Sequence, residues 1–149
     1  MPDLALPPVE LPNGALVLFE HMAVDDLDRS GNWRFYVSGD GGFYQARNER
    51  LFVEQSDLGR TDPSLFWNVA LPDAPQRQFD EKAMESLRET VEGIDFEKLG
   101  NGADRAVQVE RWTSAGGSSP GSAVVVNGKN PRELAELRRT IDGLVAKQR

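Results

Sequence analysis

The apolar residues of this chain change their spacing repeatedly, and those changes restrict the fold more than any other feature. From Trp33 to Ser38 they alternate, with Trp33, Phe35 and Val37 on one side and Arg34, Tyr36 and Ser38 on the other. A period of two belongs to an extended strand with one face buried. After Asp80 the spacing becomes helical. Met84, Leu87, Val91 and Ile94 recur at steps of three and four, which lays one apolar stripe along a helix. The pattern is extended again from about Ala106 to Thr113 and from Ala123 to Val126, then helical at Leu134, Leu137, Ile141 and Leu144. Strands followed by a helix, twice over with short connections, predict an α+β fold. The expected architecture is a mainly antiparallel sheet with two amphipathic helices packed on one face.

Local punctuation supports these boundaries. Ala15 to Val24 reads as the first strand. Gly39-Asp40-Gly41-Gly42 supplies turn residues, and the chain resumes as a strand at Phe43 and Tyr44. Leu51 to Val53 and Leu65 to Leu71 are further strand candidates. Asp80 is an N-cap, with Phe79 and Met84 placed as a hydrophobic staple. Gly93 is placed to end that helix in a left-handed conformation, with Ile94 packing back. Asn127-Gly128 closes a strand. Asn130 is the expected cap of the last helix and Pro131 its first residue, with Glu133 completing a box-like pattern. Met84 to Ile94 resembles Leu134 to Leu144, but the strands that precede the two helices do not match.

The chain of 149 residues suits one domain, read as residues 14–149 behind a Pro-rich arm at 1–13. It has no cysteine, which excludes thiolate nucleophiles, disulfides and Cys-ligated metals. The net charge of −7 disfavours nucleic acid. Binding through Arg132, Arg138, Arg139 and Lys147 is the least favoured reading. The charge is uneven: Met1 to Asn32 holds six acids against Arg29 alone, and Lys129 to Arg149 six bases against three acids. No run approaches the roughly 18 apolar residues of a membrane-spanning helix. With no basic leader, the expected location is the cytoplasm and no membrane partner is expected.

Catalytic constellations are lacking. His21 is the only histidine and has no Gly-x-Ser-x-Gly elbow, so it reads as structural or surface. Asp25, Asp26 and Asp28 lack the glycine and glutamate of a calcium loop and read as a solvated turn. Ser38 to Gly42 lacks the lysine of a phosphate loop and reads as a hairpin turn. No cofactor is expected, and the chain is read as not an enzyme. Tyr36 and Trp112 fall on the polar-facing parity of their strands, beside Arg34 and Glu110, where an exposed aromatic would mark a partner surface. Together with Asp40, Phe43, Ser118 and Ser119 from the two Gly-rich loops, and Arg138 and Arg139 on the basic last helix, they are the candidate partner-binding residues.

Three features resemble emfourin-like bacterial domains, the proteinaceous inhibitors of protealysin-type metalloproteases. The first is the turn Ser38-Gly39-Asp40-Gly41-Gly42-Phe43. The second is the helix running into Asp95-Phe96 and Leu99. The third is Gly102-Ala103-Asp104-Arg105 before a strand, with Pro131 opening a Leu-rich last helix. The segment Tyr44 to Arg77 and the first 32 residues depart from that pattern. The resemblance implies the architecture and a protein-binding role, and it transfers no inhibitory residue. The leading expectation is therefore a non-catalytic protein-interaction domain, a protease inhibitor or a subunit of an assembly. The alternative is a small-molecule-binding protein or carboxylate-dependent enzyme with a pocket between sheet and helices.

Overall fold

A computed structural model describes residues 14–24, 31–48, 71–100, 106–114 and 121–147. The arm at 1–13, the carboxylates at 25–28, the strand candidates at 51–53 and 65–70, the turn at 102–105 and the loop serines Ser118 and Ser119 lie outside the described residues. The strands are β1 (Ala15–Ala23), β2 (Asn32–Ser38), β3 (Gly42–Asn48), β4 (Arg77–Gln78), β5 (Gln108–Ser114) and β6 (Gly121–Val126). The helices are α1 (Glu81–Glu92) and α2 (Arg132–Lys147), and a 3₁₀ turn spans Phe96–Lys98. Among the described residues the strands form one six-stranded sheet in the order β4-β3-β2-β1-β5-β6. Every neighbouring pair is antiparallel. The fold is α+β with a mainly antiparallel sheet.

The alternating residues do what their period requires. Val17 and Phe19 of β1, Trp33, Phe35 and Val37 of β2, Phe43 of β3, Trp112 of β5, and Ala123 and Val125 of β6 share one face. The stripes of both helices pack on that face. Met84, Leu87 and Val91 come from α1, and Leu134, Leu137 and Ile141 from α2. The helices cross the sheet in opposite senses. Met84 of α1 starts beside the β2–β3 turn, where Arg88 Nη2 donates to the Gly39 carbonyl at 2.9 Å. The chain then reaches β6, where Gly100 bridges to Val124. The second helix leaves β6 and brings Val145 beside Phe43 and Gln45 of β3.

The caps agree with the sequence in part. Asp80 Oδ1 accepts from the Ala83 N–H at 2.8 Å, as its position predicts. Gly93 does not adopt the left-handed conformation; its φ is −78° and its N–H bonds the Glu89 carbonyl at 3.2 Å. The helix ends there by an ordinary right-handed turn, with Ile94 buried. Asn130 does not cap α2 either. Its side-chain amide donates to the Gly128 carbonyl at 3.3 Å, and the Pro131 carbonyl takes the first helical bond, from Ala135 N at 3.0 Å. The short strand β4, two polar residues long, carries no apolar alternation by which the sequence pattern could show it.

Gly41 is the glycine that the packing requires. Its φ is +98°, and a Cβ there would lie 2.5 Å from the Phe79 carbonyl oxygen. Main chain cannot yield as a side-chain tip can. Gly41→Ala is therefore expected to destabilise the fold by more than the roughly 1–2 kcal/mol of left-handed strain alone, measured by denaturant unfolding. A loss below that range would mean the β2–β3 turn relaxes freely away from Phe79.

Candidate functional site

The antiparallel registers line the side chains up in rows across the sheet. One row on the helix-covered face runs Gln45, Phe35, Phe19, Trp112, Ala123. The Phe19 ring lies 4.6 Å from Trp112 and 5.2 Å from Phe35 between centroids. Trp112 is 1% exposed and Phe43 is 5% exposed. Both are core residues, so the expectation of an exposed aromatic at Trp112 is corrected, and Phe43 offers a partner little surface. A charged neighbour does not mark solvent on β5, since Glu110, on the same side as Trp112, is itself buried.

Glu110 is in fact buried on the helix face, directly opposite His21 of β1. His21 Nδ1 and Glu110 Oε2 share a hydrogen bond of 2.8 Å. The imidazole stacks on the Trp33 ring at 5.3 Å and 20°. Arg138 of α2 lies over the same ring at 4.7 Å, and over Phe19 at 4.9 Å. Such cation–π contact fixes α2 on the sheet. Arg138 also donates through Nε to Asp142 at 3.2 Å, and Arg139 beside it is exposed. His21 is 4% exposed. The pair joins β1 to β5 on the helix-covered face, beside the Trp33 ring that Arg138 covers.

The opposite face is also buried along its centre. Leu18, Met22 and Val109 are there, and with them a charged row, Arg34–Glu20–Arg111, one residue from each of β2, β1 and β5. Arg111 Nε donates to Glu20 Oε1 at 3.1 Å, and Arg34 Nη1 lies 3.6 Å from Oε2. Burial pushes the Glu20 carboxyl above its ordinary range, against the pull of Arg111 and Arg34. Burial likewise lowers Arg34. Toward the β3 side of this face, Tyr36 and Tyr44 stack as a cross-strand pair, 4.4 Å apart and 6° from parallel, both half-buried. Burial, then Tyr44, raises the Tyr36 phenol.

Asp40, exposed like Arg139, is tied into its own turn. Its Oδ1 accepts from Ser38 Oγ and from Gly42 N–H. Those bonds, Ser38 first, hold its carboxyl below the usual aspartate value. A depressed carboxyl adds stability above the unfolded pKa, and that stability is lost as pH falls through the folded one. Carboxyl NMR titration should place Asp40 below the ordinary aspartate value, and Ser38→Ala should move it back up. An unmoved midpoint in that variant would remove Ser38 as the cause.

The sheet's open chemistry lies at the outer edge of β3. The register pairs Gly42 with Gln78 and Phe43 with Arg77. Two steps further it would set Pro75 against Gln45. Proline has no N–H to give, so the ladder cannot continue there. The Gln76 side chain replaces it. Its Oε1 accepts from Gln45 N–H at 2.7 Å, and its Nε2 donates to the Gln45 carbonyl at 2.9 Å. A primary amide carries the same donor and acceptor as a peptide, so one side chain stands in for one strand residue. By the same alternation the next outward main-chain groups belong to Arg47, and they have no partner among the described residues. Beside this edge Phe43, Gln45, Gln76, Arg77 and Val145 line an open cleft of about 190 Å³. Arg77 Nη1 bonds the Gln76 carbonyl at 2.7 Å, and its Nε has no acceptor. Its charge meets no carboxylate among the described residues.

The sequence reading missed this edge. The signal was present in Pro75-Gln76, a ladder breaker followed by an amide side chain. Among the described residues no group of three His, Asp or Glu side chains is gathered as for a metal ion, and no helix is long and apolar enough to cross a membrane. Comparison with family models, with curated proteins and with solved structures finds no match to this chain.

Proposed function

We propose that this chain is a non-catalytic protein-interaction domain, an inhibitor or an assembly subunit, that acts in the cytoplasm and binds no nucleic acid. The observation that carries the reading is the β3 edge, where a side-chain amide closes the ladder beside an open cleft. Exposed edges with unpaired main-chain groups are natural docking lines for other chains. A net charge of −7 and the absence of cysteine are compatible with the location and with the exclusion of nucleic acid. The emfourin-like turn and helix signature point the same way.

A tagged pull-down from lysate of the source organism, read by mass spectrometry, tests the reading. The expected result is a protein retained in stoichiometric amount at physiological salt. A metalloprotease would make the chain an inhibitor, and a set of co-purifying subunits would make it an assembly component. Capture of nothing, even at low salt, would overturn the reading.

A further inference from the structure

Resting on that reading, we infer that the β3 edge binds an extended, acidic segment of a partner protein, which adds as a strand by displacing the Gln76 side chain. The main-chain groups needed are already aligned. Gln45 presents an N–H and a carbonyl outward, held among the described residues by the Gln76 amide, and Arg47 presents the next pair. An incoming peptide bonds both residues, where the side chain bonds one. The exchange costs two hydrogen bonds and returns at least as many. Displacement is sterically simple, because Gln76 is exposed.

Charge selects the occupant. Side chains at positions 43, 45 and 47 of β3 share the helix-covered face. Arg47 is exposed there, with its guanidinium 5.6 Å from the centre of the Trp33 ring, and Arg77 lies in the cleft with an Nε that has no acceptor. Among the described residues neither guanidinium meets a carboxylate, on a chain of net charge −7. A carboxylate entering the cleft would meet Arg77, and charge-assisted bonds of this kind are the stronger sort. Phe43 and Val145 give the cleft an apolar floor for the stem of that side chain. A strand whose alternate residues are acidic satisfies the main-chain and side-chain requirements together.

The probe is an acetylated, amidated heptapeptide alternating glutamate with valine, titrated into the isotope-labelled full chain and followed by NMR. Shifts are expected at Phe43 to Arg47, at the Gln76 side-chain amide and at Arg77, with the rest of the sheet unmoved. Arg77→Gln should weaken binding roughly tenfold. Gln76→Ala, which removes the competitor, should tighten it by a few-fold. N-methylation of alternate peptide amides should abolish it. Equal binding of the lysine counterpart or of the N-methylated peptide would overturn the inference, as would weaker binding to Gln76→Ala or no shifts at millimolar peptide. A partner captured from lysate equally by the wild type and by Arg77→Glu would overturn strand addition here and leave the interaction reading intact. Capture of no partner would overturn that reading itself.

Discussion

Glu20→Ala is expected to cost about 3–5 kcal/mol of folding free energy, because it removes the buried carboxylate that faces the buried Arg111 and the partly exposed Arg34. Glu20 is fully buried between Arg111 and Arg34, and Arg111 itself is 2% exposed. Most single domains have only about 5–15 kcal/mol in all, so this one change removes a large share. The loss measures a broken partnership rather than a favourable pair. Replacing the whole row with apolar residues, Glu20→Leu with Arg34→Met and Arg111→Met, should therefore recover much of it. Acid has a definite sign here. Burial raises the folded carboxyl above its ordinary value of 4.5, so the folded state holds the proton more tightly than the unfolded chain. Glu20 then takes stability away as pH rises from the ordinary value through the folded one. Glu20→Gln should lack that slope. Denaturant unfolding across pH measures all three, and a loss under about 0.5 kcal/mol for Glu20→Ala would mark the row as solvated surface.

Leu137→Ala should cost on the order of 2–5 kcal/mol. Leu137 is wholly inaccessible and sits mid-stripe on α2, among the side chains that seat both helices on the sheet. The deletion removes buried apolar area and leaves a cavity in the close-packed core that Leu137 shares with Phe19 and Trp112. Leu87 occupies the matching position of α1 and is equally buried, so Leu87→Ala should fall in the same range. Loss below about 0.5 kcal/mol at either leucine would place its stripe on the surface and separate the helices from the sheet.

The helices and strands were legible because they rest on local rules. The stripe from Met84 to Val91 needs only its own spacing, and Asp80 caps a helix through a bond to a residue three positions on. Gly93 and Asn130 were misread because each end had a second solution. A right-handed turn serves after Val91, and the Pro131 carbonyl opens α2 without a capping side chain. Glu110 misled the parity argument because its partner, His21, is distant in sequence and adjacent only through the register of β1 with β5. Glu20 carried a clue in plain view, a single acid inside the apolar run of β1. A charge in such a place needs a partner, but nothing local says that Arg34 and Arg111 supply it. The β3 edge was least legible of all. Gln76 acts as a strand residue only because the Phe43–Arg77 register brings Pro75 against Gln45.

That edge underlies the account of function, and amide hydrogen exchange at Gln45 tests it most directly. In the wild-type chain the Gln45 N–H should exchange slowly, held by Gln76 Oε1 at 2.7 Å. In Gln76→Ala it should exchange as an open edge does, while the interior ladders of β1, β2 and β5 keep their protection. Continued protection of Gln45 in that variant would contradict the account, because the edge would then be closed by something other than one displaceable side chain.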